Sequence, residues 1–507
     1  MTATAPASDE RVLLRGTAAN VVGLLAGVAA AFGVQVLLGR TLPAGGLALV
    51  TIAVQVAFVA SAGARFGMDV AAVRLVAIGE GAGDAAGLRS LVERCAAIAG
   101  VAGLAGAAII AAASPLAGSR AGAIAVGAAS LPAIAVANVY LGATRGLKRM
   151  GPTLVVFWIG QPVVWIMLAA AAVAAGGETD AAVAAYGVSW LIAVAAARSM
   201  WRSATAAAGD RPATSAEVRA ALRYGLPRAP SALLAQALFW ADLFVLAHYA
   251  HGKPLDAYAA AGRVSQLVLL FLTSANLIFA PFAADLHARG ERERLDALFK
   301  RATRWALAGT LPAAIVLAVA APDVLAAFGP GYGPGETPLR IMLAGQTANV
   351  ATGGVAFVLI MAGLTGLDLV DNALAAAVLV ALAAPLASAH GPTGAAIASA
   401  AALAGVNAVR LWQVHRRIGI QPFDAAYARL AVPAAGCTMA ALAVHAAVSS
   451  QRWWAALAAT VVAGGVAYAA LLPAGLPVSE RTHVGRWLWR WRRNDDAVAL
   501  RNSDRYS

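Results

Sequence analysis

Fourteen apolar runs of about 17 to 25 residues punctuate this chain, and each is long enough to cross a hydrocarbon core of ~30 Å as a helix. They fall near residues 16–38, 44–63, 95–113, 121–143, 153–175, 181–197, 229–249, 257–284, 306–321, 339–362, 370–388, 394–412, 430–447 and 453–472. Backbone polar groups have no water to bond inside a bilayer, so such runs can only be helices. The sequence therefore predicts an all-α polytopic membrane protein of about 14 transmembrane helices. With 61% hydrophobic and 12% charged residues and a mean hydropathy of +0.73, it is far from soluble composition. Abundant Ala and Gly suit close helix packing in lipid.

The charges orient the spans. Numbering the gaps alternately inside and outside puts 32 of the 38 Lys and Arg residues on one side. Arg40, Arg120, Lys253, Arg263, Arg340 and Arg452 are the exceptions. Positive residues stay cytoplasmic, so an inner (plasma) membrane protein with both termini cytoplasmic is expected. The net charge of +13 faces the anionic inner leaflet rather than nucleic acid. Residues 1–10 are polar and the first run is too long for a signal-peptide core, so it reads as an uncleaved anchor. Cys95 and Cys437, far apart, imply neither a disulfide framework nor a metal site.

The loop 198–228 divides the chain and contains Thr214-Ser215-Ala216-Glu217, a capping-box pattern that predicts a short helix. A shift of about 208 residues lays the first half on the second, with Leu14-Arg15 on Leu222-Arg223 and Gln55 on Arg263. The expected organisation is a six-helix lobe with its following loop (1–228), a second six-helix lobe (229–429), helices 13 and 14 (430–472) and a basic Trp-rich tail (473–507). A substrate path would run between pseudo-repeated lobes. In the tail, indoles and guanidiniums alternate over 486–493, which suits the headgroup layer.

Ionisable residues within spans are candidates for function. Asp242 and Arg263 flank a hairpin whose tip lies near Gly252 and Lys253. Equal distances from that tip place both roughly 10 to 13 Å below the surface. Gln35 and Gln55 flank the tip Ala44-Gly45-Gly46 in the same way. These four side chains either ring a cavity, with Arg263 attracting a phosphate-bearing headgroup, or form an ion pair and an amide pair that hold two hairpins together. Gln346 and Asn349, three residues apart on one helix face, rank second. Asn138, Gln161, Asn276, Asn407 and His445 are expected to make interhelical hydrogen bonds. The one Gly-Lys pair precedes Pro254, so no phosphate-binding loop is present and no cofactor or metal is expected. Short outer loops with scattered acids (Glu178, Asp180, Asp256, Asp323 and Glu336) argue against an enzyme such as a lipid-linked glycosyltransferase.

Four stretches resemble the polysaccharide-biosynthesis flippases of the multidrug/oligosaccharidyl-lipid/polysaccharide superfamily over roughly residues 11–430. They are Gly67-Met68-Asp69-Val70-Ala71-Ala72-Val73-Arg74, Asp242 with Ala257-Tyr258-Ala259-Ala260-Ala261-Gly262-Arg263, Phe328-Gly329-Pro330-Gly331-Tyr332 before Leu339-Arg340, and Gly391-Pro392-Thr393-Gly394-Ala395-Ala396-Ile397-Ala398. The resemblance implies translocation of undecaprenyl-diphosphate-linked oligosaccharide by alternating access, for surface polysaccharide biosynthesis. It also implies a cationic cavity in which Arg263 stands where relatives carry a basic residue. Implied partners are the lipid-linked oligosaccharide, membrane lipids, and a polysaccharide polymerase and glycosyltransferases, with the transporter a monomer and nucleic acid excluded. Cation-coupled drug exporters of the superfamily place an acid in the first span. Segment one here has none, and such an exporter is the alternative reading.

Overall fold

A computed structural model of the chain describes residues 27–81, 87–206, 211–477 and 480. The described residues form helices and turns with no strand. In chain order the helices are α1 (Gly27–Thr41), α2 (Gly46–Ala64), α3 (Met68–Gly81), α4 (Leu88–Ala113), α5 (Ala121–Ala128), α6 (Leu131–Gly146), α7 (Gln161–Ala174), α8 (Thr179–Ala204), α9 (Ser215–Gly225), α10 (Ala229–Leu238) and α11 (Ala241–Tyr249). There follow α12 (Lys253–Gln266), α13 (Leu269–Ala288), α14 (Arg292–Val319), α15 (Ala321–Ala326), α16 (Glu336–Ala351), α17 (Val355–Met361), α18 (Thr365–Arg417), α19 (Ala425–Ala428), α20 (Ala431–Val448) and α21 (Trp453–Gly475).

Among the described residues ten helical stretches are long and apolar enough to cross a membrane, or eleven if a bent pair counts as one span. That pair, Ser215–Leu238 with Ala241–Tyr249, bends by 49°. Fourteen separate spans were expected, and the difference has a physical origin. Segments 95–113 and 121–143 run on as one stretch, Leu88–Gly146, and 370–388 and 394–412 as another, Gly366–Arg417. Stretches of 59 and 52 residues far exceed the ~20 that one crossing needs. Each contains a glycine outside helical geometry, Gly118 (φ 60°, ψ −125°) and Gly391 (φ 57°, ψ −135°), a backbone region that residues with a Cβ avoid. At Gly391 the chain folds back, because Leu379, Ala383, Ala398 and Ala402 share one buried cluster in register about that point. The first helix is short because only residues from 27 onward are described.

The loop helix forms as its capping box requires. Thr214 Oγ1 accepts from the Glu217 N–H (3.2 Å), and the Glu217 carboxylate accepts from the Thr214 N–H (2.7 Å) and the Arg211 guanidinium (2.7 Å). Pro132, Pro162 and Pro227 stand at helix starts, where the missing N–H costs nothing. The tail motif 486–493 and the N-terminal Arg11 and Arg15 lie outside the described residues.

Two compact units divide the chain. The first takes in Met1–Val264, Leu325–Ile341 and Gly366–Ala402, and the second Ser265–Val324, Met342–Thr365 and Leu403–Ser507. In the first, α2 and α6 are buried along most of their length, and Trp190 and Trp201 of α8 are fully enclosed. The second is built on Phe279, Leu295, Phe299, Leu359, Val414 and Ile420, with Cys437 and Tyr468 packed on Val316.

Candidate functional site

Two hairpin tips meet in the first unit. The α1–α2 turn at Gly45 lies against the α11–α12 turn, such that a Cβ on Gly45 would stand 3.5 Å from Gly252 Cα. Asp256, in the first turn of α12 and wholly buried, fastens them. Its carboxylate accepts from the backbone N–H of Gly45 (2.7 Å) and of Ala48 (2.8 Å). These are donors at the start of α2 that no intrahelical carbonyl can satisfy, so Asp256 caps that helix from another part of the chain. Lys253 stands 3.8 Å from Asp256 and lies over the Tyr332 ring at 4.8 Å. Tyr332 donates to the Gly39 carbonyl at 3.1 Å, and Arg40 Nε to the Ala327 carbonyl at 2.6 Å. Burial, with the Asp256 charge nearby, pushes the Tyr332 phenol above its ordinary range, so it remains a neutral donor.

Below this latch Asp242 and Arg263 go separate ways. Asp242 is buried, and its carboxylate accepts from the Tyr258 hydroxyl (2.7 Å), from the Leu243 N–H (2.8 Å) and from Ser399. The ion pair with Arg263, one of the two arrangements open to these residues, does not form. Equal counting from the tip set 242 opposite 263, but the hairpin closes with 242 opposite 258, about one turn nearer the tip. The α10–α11 break at Trp240 (φ −130°) carries its indole to Arg263 instead, with the guanidinium carbon 4.4 Å from the ring centroid.

Arg263 is half-buried, its Nε has no hydrogen-bond partner, and among the described residues no carboxylate pairs with it. Its charge reaches Tyr186 of α8. Tyr186 belongs to an aromatic wall with Trp165 (4.8 Å) and Trp190 (6.2 Å). Gln35 and Gln55 are buried in the same unit, and no hydrogen bond joins them. Gln35 Oε1 is enclosed without a donor among the described residues. Among the described residues the first unit thus holds a cation without an anion and an acceptor without a donor. Burying either in that condition is costly unless a ligand completes it.

The second-ranked pair lies in the second unit and is occupied. Asn349 donates to Gln346 Oε1 (3.3 Å) and accepts from Asn407 Nδ2 (2.8 Å), a bridge from α16 to α18. Gln161 likewise bonds Ser189 across α7 and α8 at 3.0 Å, whereas Asn138 turns back on its own helix. His445 Nδ1 stands 3.3 Å from Asp323. Sequence reasoning passed over Asp256 as one of several scattered loop acids. Its signal was spacing: it is bonded to Ala48, 208 residues away, the shift at which the sequence suggests a repeat.

A family model described as polysaccharide biosynthesis protein matches residues 13–285, more than half of the chain. The chain belongs to that family. No curated protein matches the chain. Among solved structures it is similar to the lipid II flippase MurJ in an inward closed conformation, with 14% identity and a TM-score of 0.69 over 89% of this chain and 96% of that one. It is also similar to an inward-facing multidrug resistance transporter of the superfamily, with 17% identity and a TM-score of 0.62 over 79% and 98%. A third likeness is to a superfamily transporter from Pyrococcus furiosus described by a reversed polarity of its binding pocket, with 16% identity and a TM-score of 0.57 over 79% and 94%. At these identities the likeness shows the fold: a helical, multi-pass membrane protein of the architecture that flippases and multidrug transporters share.

Proposed function

We propose that this family member translocates an undecaprenyl-diphosphate-linked oligosaccharide across the inner membrane by alternating access, without catalysing a covalent step. The observation that carries the reading is Arg263: half-buried inside an apolar helix bundle, braced on Trp240 and free of any carboxylate partner among the described residues. A membrane-embedded arginine kept without an anion is suited to receive one, and the guanidinium fork matches a diphosphate. A drug cation would meet repulsion at the same place.

Gln35, whose amide oxygen lacks a donor, and Gln55 are assigned to sugar hydroxyls or phosphate oxygens. Asp242 acts through Tyr258, fixing the hairpin that carries Arg263. Gln346 and Asn349 take a lesser part, holding α16 to α18 in the second lobe of the repeat. With the termini and the basic loops cytoplasmic, the Asp256 latch lies outside. It joins the tips of the α1–α2 and α11–α12 hairpins on that side. A polymerase and glycosyltransferases are the expected functional partners.

The alternative, a cation-coupled exporter of small amphiphiles, draws on the likeness to the multidrug transporter. Proteoliposomes separate the two. Arg263→Ala is expected to lose movement of a polyprenyl-diphosphate sugar by about tenfold to a hundredfold, since charge-assisted hydrogen bonds contribute ~1.5–3 kcal/mol each. Full movement by that variant, or cation-driven efflux of organic cations with no movement of the sugar lipid, would overturn the proposal.

A further inference from the structure

A groove of about 700 Å³ runs along the surface of the first unit between α2 and α4, lined by Ala60, Gly63, Ala64 and Phe66 on one side and by the 97–109 face of α4 on the other. Small residues such as Ala97, Ala105 and Gly106 line it together with the bulkier Ile98, Val101 and Ile109. Val101 and Ile109 are each 68% exposed, so the groove is open from the side. From Ala97 to Ile109 the helix rises ~18 Å, close to the ~15 Å of one leaflet's hydrocarbon.

The groove ends in charge. Ala64 and Phe66 bracket Arg65, whose guanidinium is engaged by Asp69 at 3.1 Å. Arg94 precedes Ile98 by four residues and Val101 by seven, which puts it on the groove-lining face of α4 at its basic end. The adjacent Glu93 cannot neutralise it, being held by Tyr140 (2.6 Å), Arg198 (3.1 Å) and Arg202 (3.4 Å). Arg94 is exposed and has no ion-pair partner among the described residues.

An apolar channel one leaflet long with an unneutralised guanidinium at its mouth has the shape and charge of a phospholipid. We propose that this groove is a binding site for an anionic phospholipid of the cytoplasmic leaflet, its acyl chain in the channel and its phosphate at Arg94. The assignment to that leaflet rests on the orientation proposed above; the site itself does not.

The test is native mass spectrometry of the full chain released from vesicles of equimolar phosphatidylglycerol and phosphatidylcholine with matched acyl chains. Wild type should retain phosphatidylglycerol about fivefold over phosphatidylcholine, the gain that one arginine at a membrane surface gives. Arg94→Gln should keep a lipid but lose the preference, Arg94→Lys should restore it, and Ala105→Trp, which fills the channel, should retain neither lipid. Equal retention of both lipids by wild type, or unchanged retention by Ala105→Trp, would overturn the site. Displacement of the retained lipid by a polyprenyl phosphate, or dimers cross-linked through Val101→Cys, would overturn its occupant. The Arg94 series changes an exposed side chain, so it reads out even if Ala105→Trp fails to fold. Polyprenyl-diphosphate transport by Arg94→Gln, measured alongside, keeps this result separate from that of Arg263.

Discussion

Arg263 and Arg304 are both arginines within apolar helical stretches, and the chain treats them in opposite ways. Arg304, in α14 and 5% exposed, is held by Asp424 at 2.8 Å and by Glu480, which also draws Arg301 to 3.8 Å. It fastens α14 to the cap of α19 and to the segment after α21. Arg263 has an aromatic ring in place of an acid. A buried cation surrounded by carboxylates is complete and serves the fold, whereas the proposed function gives the one left without them an anion to receive.

The contrast is most easily broken at Arg304. Arg304→Met leaves two carboxylates facing each other without a cation, and a loss of ~3–5 kcal/mol is expected, as for other broken buried pairs. Arg263→Met in the same thermal-melting assay should change stability by less than ~1 kcal/mol, since no partner is stranded. Equal losses would show that Arg263 is as structural as Arg304.

Next in size is the latch. Asp256→Ala strands the Gly45 and Ala48 N–H groups, at ~1–3 kcal/mol for each buried donor. A cysteine at position 48 (Ala48→Cys) should then react faster with a membrane-impermeant maleimide added outside, against a low background because Cys95 and Cys437 are buried. Unchanged labelling would remove the latch from the gating scheme. The smallest effect belongs to Thr214→Ala, which deletes a cap at a cost of ~1 kcal/mol. It should leave transport intact, and a transport defect would show that α9 does more than join two halves.

Much of this was legible from sequence, for reasons that also mark where it failed. The hairpin tips at Gly45 and Gly252 and the helix after Thr214 are local and announce themselves by residue type. The pairing of 242 with 263 required the geometry of a bend at Trp240, which depends on how α10 and α11 pack and not on the count of residues. Asp256 was hidden because an acid beside a loop usually faces water, and only contact with a distant helix end gives it another task. Arg304 escaped notice as one basic loop residue among six, since its acids come from 120 and 176 residues away.

The measurement that bears most directly on Arg263 is titration of a polyprenyl-diphosphate sugar into the detergent-solubilised chain and its Arg263→Gln variant. A rise in Kd of about tenfold or more, equal to at least ~1.4 kcal/mol, with melting unchanged, is expected if the unpaired guanidinium receives the diphosphate. An unchanged Kd in a folded Arg263→Gln protein would contradict it.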